Sequence, residues 1–138
     1  MSHPISRINP EHLHQTAGYH HVTVVEAGRT AYLAGQCPLD RQGALVGRDD
    51  LDRQVDQVAA NALTALQAVG AKPQDVVRSV IYVVSDDNKV LASVWQRFNA
   101  SVIAPAFTTA STLLGVAALG YSGQLVELDL TAALPPRP

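Results

Sequence analysis

The feature that most constrains this chain is the nine-residue run 76–84, VVRSVIYVV. Its dense β-branching predicts a strand, because branched side chains pack well on a pleated surface. Alternate residues of a strand point to opposite faces, and both faces of this run are mostly apolar. The two sets are Val76, Arg78, Val80, Tyr82 and Val84, and Val77, Ser79, Ile81 and Val83. We therefore expect both faces to be buried.

Two amphipathic helices are predicted on either side of this strand. The first extends from Leu51 to about Val69, and the second from Asp86 or Asp87 to about Ser101. In each segment apolar residues recur at helical spacing. An aspartate that can cap the helix stands at each start, and a glycine follows the end of the first helix.

The remaining β-rich runs complete an α+β pattern. They cover residues 21–26, 30–36, 111–117 and 124–132, with a looser excursion over 39–46. The first two runs flank a short glycine-containing turn and predict a β-hairpin. The order is β-β-(β)-α-β-α-β-β, which predicts a mixed sheet with both helices on one face. We expect one domain over 1–138, with an irregular arm over about 1–18 and a proline-rich, disorder-prone tail over 134–138.

A single copy of this fold would leave one sheet face uncovered. Two helices cover only one face, so the second face of the run 76–84 needs another chain, unless it is simply solvated. In the last strand Val126, Leu128 and Leu130 alternate with a second set, Glu127, Asp129 and Thr131. The carboxylates then lie on the face where we expect the partner. A carboxylate there must be paired, hydrated or functional.

Composition excludes several classes of function. The net charge is −2, and lysines and arginines are not clustered as a nucleic-acid surface requires. No apolar run approaches the ~20 residues of a membrane span, and the N-terminus has no signal-peptide core, so we expect a cytoplasmic protein. One cysteine excludes an internal disulfide and a multi-cysteine metal site. His12 and His14 have no third metal ligand in reach, so no metal site is predicted.

Several segments resemble one known family. Residues 32–40, YLAGQCPLD, resemble the YLSGQIPLD signature of the RidA/YjgF family. The segments AKPQDVV at 71–77, GVAAL at 115–119 and LVELD at 125–129 match the family in order and spacing. The resemblance covers about residues 15 to 133.

Membership would imply a chorismate-mutase-like fold and a homotrimer whose sheets line a central barrel, with the helices outside. It would also imply three small-molecule clefts between subunits. The best-known activity of the family is hydrolysis of reactive enamines and imines, such as 2-aminoacrylate, to 2-keto acids and ammonia. The resemblance implies no metal and no organic cofactor.

The resemblance also assigns candidate site residues. Glu127 matches the glutamate thought to position the attacking water, although an ordinary structural acid is an equal alternative. The candidate ligand-binding residues around the same cleft are Tyr19, Gly35, Gln36, Cys37, Ser111 and Thr112. Plain packing is the alternative for Tyr19, and Cys37 is a small buried hydrophobe more often than a nucleophile.

The chain departs from the active subgroup at Ser111. There the subgroup has an arginine that binds the substrate carboxylate, and this sequence has no Arg or Lys between Arg97 and Arg137. Loss of such a charged hydrogen bond could cost on the order of 2–4 kcal/mol of binding. The first hypothesis is therefore a deaminase-type hydrolase acting on a substrate without an essential carboxylate. The alternatives are a non-catalytic binder of small metabolites and, far behind, an endoribonuclease or translation inhibitor, as such relatives are often labelled.

Overall fold

The computed structural model describes residues 5–136. Six strands and two α-helices lie in this part of the chain, together with 3₁₀ turns at Pro73–Asp75 and Ala104–Phe107. In chain order the elements are β1 (Ile5–Ile8), β2 (Val22–Val25), β3 (Thr30–Tyr32), α1 (Leu51–Ala68), β4 (Val76–Val84), α2 (Asn88–Asn99), β5 (Ala110–Val116) and β6 (Val126–Ala133). The predicted α+β class is confirmed.

Both helices begin where the sequence predicts a cap. The Asp50 carboxylate accepts a hydrogen bond from the backbone N–H of Arg53 at 3.1 Å, and Asp87 caps α2 in the same way. Such a bond satisfies one of the otherwise unpaired N–H groups of the first turn. At the other end of α1, Gly70 adopts φ +74°, the left-handed conformation in which a helix commonly terminates.

The main sheet has the strand order β3-β6-β4-β5. Strand β4 runs parallel to β5 and antiparallel to β6, so the sheet is mixed as predicted. Helix α1 packs on β6 and α2 packs on β5, and the two helices contact each other on one face of the sheet. The largest fully buried side chains between the layers include Phe98, Phe107, Leu66, Ile81, Ile103 and Leu128.

The predicted hairpin of β2 and β3 is wrong. Strand β2 pairs antiparallel with β1, which forms within the predicted N-terminal arm. Strand β3 instead joins the edge of β6 through Thr30 and Tyr32. The loose excursion over 39–46 forms a single bridge between Leu39 and Leu45 rather than a strand. Strand β2 thus pairs with the strand before it, and β3 pairs with the last strand of the chain.

The face of the sheet opposite the helices is open in a single chain. It carries half-exposed Val80, Tyr82 and Val84 from β4, and Tyr32 there is 81% exposed. A β-bulge between Val76 and Arg78 shifts the register, so that Val76 is buried although simple alternation groups it with Arg78. After the bulge, β4 therefore carries apolar residues on both of its faces, as the sequence predicts. Among residues 5–136, no helix is long and apolar enough to cross a membrane.

Candidate functional site

The Glu127 carboxylate lies on the open face of the sheet, beside the segment that follows β3. Its Oε1 atom accepts hydrogen bonds from Gln124 Nε2 at 3.0 Å and from the Cys37 thiol at 3.3 Å. Hydrogen bonds to an ionised acceptor are stronger than bonds between neutral groups. Among the described residues none hydrogen-bonds Oε2, so this second oxygen can accept from water or a ligand.

Gly35 lets the backbone pass directly beside this carboxylate. A Cβ atom built on Gly35 would lie 2.8 Å from the carboxyl carbon of Glu127 and closer still to Oε2. The next residue, Gln36, is joined to Leu128 of β6 by two backbone hydrogen bonds of 2.7 and 3.1 Å. These bonds fix the backbone of Gly35 close to the Glu127 carboxylate. A glycine is required here because a larger residue would displace the carboxylate.

The Cys37 thiol is held in its protonated form. The pKa of Cys37 is raised to about 11, mainly by partial burial and in addition by the hydrogen bond to Glu127 and by the negative charge of Glu127. The contact with Gln124 opposes the rise. Because the thiolate is the nucleophilic form, Cys37 acts here as a weak hydrogen-bond donor and not as a nucleophile.

Gln124 is a site residue that the sequence analysis missed. Its side chain is 3% exposed, and its Nε2 atom is shared between Glu127 Oε1 and the backbone carbonyl of Val126. Its Oε1 atom accepts from the N–H of Tyr121 at 3.1 Å. No motif marks a glutamine just before a strand, so only the tertiary contact identifies it.

A second buried glutamine holds the loop that carries Gln124. Gln54 of α1 is fully buried, and its Nε2 atom donates to the carbonyls of Gly47 and Gly123, each at 3.0 Å. Its Oε1 atom accepts from the N–H of Leu125 at 2.8 Å. The backbone on both sides of Gln124 is therefore attached to α1, which keeps the support of Glu127 rigid.

Tyr19 and Ser111 lie in a different place from Glu127. They line a cavity of about 360 Å³ between the N-terminal segment, α2 and β5. The remaining lining residues are Ala17, Ala92, Trp95 and Leu113. The Ser111 side chain is on the helix-covered face, since it hydrogen-bonds the fully buried Ser79 at 2.6 Å. Glu127 is on the opposite face.

Thr112 is adjacent to Ser111 in sequence but points to the open face. Its hydroxyl accepts a hydrogen bond from Arg78 Nη2 at 3.1 Å. The structure thus brings Gly35, Cys37 and Glu127 together, with Gln36 on the backbone beside them. It brings Tyr19 and Ser111 together in the cavity, and it does not join the two groups within one chain.

His14 and His21 interact within the N-terminal segment, whereas His20 contacts a residue that is distant in sequence. His14 Nε2 lies 3.1 Å from the Tyr19 hydroxyl, and His21 Nε2 lies 2.9 Å from the carbonyl of His14. His20 Nδ1 contacts the carbonyl of Thr108. Within residues 5–136, no cluster of three or more His, Cys, Asp or Glu side chains has the geometry to hold a metal ion.

Comparison with known proteins identifies the family. A family model described as endoribonuclease L-PSP matches residues 10–134. The crystal structure of YyfB from Yersinia pestis, a Rid-family protein of unknown function, is 36% identical with a TM-score of 0.84. The alignment covers 94% of this chain and 98% of that one. The chain belongs to the Rid/YjgF family.

Other solved structures extend the comparison. RidA from the Antarctic bacterium Psychrobacter is 26% identical to this Rid/YjgF protein, with a TM-score of 0.63 over 88% of this chain and 92% of that one. Yeast Mmf1 is 20% identical with a TM-score of 0.66, over 95% and 97% of the two chains, and shows the shared fold alone. The comparison with curated proteins gave no match.

Proposed function

We propose that this Rid/YjgF protein is a hydrolase of enamines or imines, with Glu127 as the residue that positions and activates water. The observation that carries the proposal is the asymmetric support of the carboxylate. Oε1 is fixed by Gln124 and Cys37, while Oε2 faces the glycine backbone at Gly35. A carboxylate with one oxygen held and one free is suited to general-base catalysis.

The proposed reaction uses Glu127 to move protons between water and the substrate. Glu127 accepts a proton from a water molecule while the water oxygen forms a bond to the imine carbon and the C=N π electrons move to nitrogen. The carboxyl group then returns the proton to the nitrogen. Glu127 then takes the hydroxyl proton of the carbinolamine and delivers it to the amine nitrogen, so that the C–N bond breaks as the C=O bond forms and ammonia leaves the carbonyl product. The protonated Cys37 thiol donates to Oε1 and so helps to hold the Glu127 side chain in place.

We propose that the complete site forms between the subunits of a homotrimer. Glu127 and its neighbours Gly35, Cys37 and Gln124, here called the Glu127 group, lie on one face of the sheet. The cavity with Tyr19 and Ser111 lies on the opposite face, so a small ligand cannot contact both within a single chain. The uncovered apolar residues Val80 and Tyr82 support association through the open face. Because the cavity borders β5, the edge strand of the sheet, a neighbouring subunit packed along that edge would bring its Glu127 to the cavity.

The preferred substrate is proposed to lack an essential carboxylate. At Ser111 the chain offers a hydroxyl that is already bonded to Ser79 and to backbone carbonyls, in place of an arginine. A carboxylate at this position would be desolvated without a cationic partner, which is unfavourable. We therefore expect weak turnover of 2-aminoacrylate when a dehydratase generates it and keto-acid formation is followed.

A matched pair of substrates tests the proposal. A flavin amine oxidase converts benzylamine to its imine, and an amino-acid oxidase converts phenylglycine to an imine that differs by one carboxylate. Semicarbazide captures whatever imine the protein has not hydrolysed. We expect the protein to lower capture of the benzylamine-derived imine, and Glu127→Gln to abolish the effect.

Two results would decide against this function. If neither imine is hydrolysed faster than in buffer while the protein remains folded, the hydrolase proposal fails, and the alternative of a non-catalytic binder is favoured. If Glu127→Gln hydrolyses as fast as the wild type, Glu127 does not handle the water. Faster hydrolysis of the phenylglycine-derived imine would contradict the proposed substrate preference.

We place the protein in the cytoplasm and do not propose ribonuclease activity. A single cysteine gives no disulfide that would need an oxidising compartment. The net charge of −2 with scattered cations is unlike a surface that binds a polyanion.

A further inference from the structure

The cavity between the N-terminal segment, α2 and β5 differs chemically from the Glu127 group. It has a volume of about 360 Å³, within the range of small-molecule sites. It is lined by Ala17, Tyr19, Ala92, Trp95, Ser111 and Leu113, which we call the Trp95 pocket. None of these six residues is a Lys, Arg, His, Asp or Glu, so a charged group inside would meet no oppositely charged lining residue.

The hydroxyl of Ser111 already has hydrogen-bond partners within the protein. It accepts a hydrogen bond from Ser79 at 2.6 Å and faces the carbonyls of Thr109 at 3.0 Å and Phe107 at 3.3 Å. A serine hydroxyl has one proton, and these carbonyls take it. Donation to a ligand would therefore compete with these carbonyls.

The two aromatic side chains also have their polar atoms engaged. Trp95 Nε1 donates to the carbonyl of Ala17 at 2.9 Å, and the Tyr19 hydroxyl lies 3.1 Å from His14 Nε2. What the pocket offers a ligand is therefore mostly carbon: ring surfaces, two alanine methyl groups and a leucine. An apolar group gains most from such a surface, because it loses no hydrogen bonds to water on entering.

The walls of the pocket are rigid. Trp95 packs edge-to-face against Tyr19 with ring centroids 6.0 Å apart, and against the fully buried Phe107 with centroids 5.9 Å apart. Three aromatic rings in these orientations, with the indole N–H bonded, leave Trp95 little freedom. A preformed wall favours a flat group of matching size, since little entropy is lost when it binds.

We propose that the Trp95 pocket binds an uncharged aryl group of the substrate. This inference deepens the proposed function and rests on it, because the aryl group would anchor the imine whose carbon meets Glu127 of a neighbouring subunit. Apolar contact in this pocket would thus anchor the substrate, in place of the arginine that anchors a substrate carboxylate in the active subgroup. The pocket would therefore select substrates by their aryl ring and not by a charged carboxylate.

Binding of a matched pair of probes tests the inference without any reaction. Benzamide and benzoate have the same shape and differ in charge. Trp95 is the only tryptophan of the chain, so its fluorescence, excited at a wavelength where the probes do not absorb, reports occupancy of this pocket. We expect benzamide to bind at least about tenfold more tightly than benzoate. Equal affinities, or a preference for benzoate, would overturn the inference.

A filled pocket supplies the matched control. Ala92→Leu adds a larger side chain to the pocket from the exposed surface of α2, and Ala60→Leu makes the same change on the exposed surface of α1. We expect Ala92→Leu to weaken benzamide binding roughly tenfold and Ala60→Leu to leave it unchanged. Equal binding by all three proteins would refute the assignment of the pocket.

Failure of this inference is distinguishable from failure of the proposed function. If benzamide binds as expected and no imine is hydrolysed, the pocket assignment stands and the hydrolase proposal fails. If the benzylamine-derived imine is hydrolysed equally well by the wild type and Ala92→Leu, the hydrolase proposal stands and the aryl pocket is wrong. Glu127→Gln should retain benzamide binding in either case, because it lies outside the Trp95 pocket.

Discussion

Substitution of Gly35 by alanine should disable Glu127 without unfolding the protein. The new Cβ would lie 2.8 Å from the carboxyl carbon and 3.2 Å from Cγ of Glu127. Carbon atoms in contact prefer about 3.5–4.0 Å, so the carboxylate must retreat by roughly 1 Å. A displacement of this size at a reacting group lowers rates by about a hundredfold.

The reactivity of the Cys37 thiol would reveal the displacement of the Glu127 carboxylate in Gly35→Ala, and this measurement needs no substrate. With a pKa of about 11, roughly one thiol in a thousand is ionised at pH 8, against about one in ten at its ordinary value. Burial remains in Gly35→Ala, but the contribution of Glu127 to the raised pKa falls. We therefore expect reaction with an aromatic disulfide to accelerate by about three- to tenfold, a part of the hundredfold ceiling.

Gly120→Ala is the matched control for Gly35→Ala. A Cβ on Gly120 would meet no atom within 4 Å, and its backbone is not in the left-handed region. This variant should react and hydrolyse like the wild type. If Gly35→Ala keeps both the wild-type thiol reactivity and the wild-type imine hydrolysis, the carboxylate is not where this reasoning needs it.

Three further predictions concern stability and assembly. Because folding raises the pKa of Cys37, the protonated thiol contributes stability that is complete below about pH 9 and is lost as the pH rises toward 11. The difference in unfolding free energy between wild type and Cys37→Ala, measured by urea titration, should therefore change between about pH 9 and 11. A constant difference would argue against the raised pKa. Gln54→Leu should lower the free energy of unfolding by on the order of 3 kcal/mol, because one buried and two partly buried backbone groups each lose a partner worth about 1 kcal/mol. A loss under about 0.5 kcal/mol would show that these groups find other partners. Light scattering should give three times the chain mass of 14.7 kDa. Tyr82→Asp, on the open sheet face, should dissociate the assembly. A wild-type monomer at micromolar concentration would refute the trimer.

The local elements could be predicted because their signals are local. Apolar spacing and a capping aspartate define α1, and β-branching defines β4 with the bounds that the structure shows. The alternation around Glu127 correctly predicts that it faces away from the helices, since strand side chains alternate strictly. The family and the fold could be recognised from the order and spacing of short segments.

The pairing of distant segments was decided only by the tertiary structure. Nothing in the composition of β2 indicates that β1 is its partner, because antiparallel pairing depends on which edges meet in space. For the same reason the sequence could not place Ser111 and Glu127 on opposite faces, since parity within one strand says nothing about a residue on another strand. Gln124 escaped notice because its role consists of contacts with Tyr121 and Glu127 rather than of a spacing pattern. Sequence spacing determines the face of an element, whereas the chemistry of this site depends on how the faces of different elements meet.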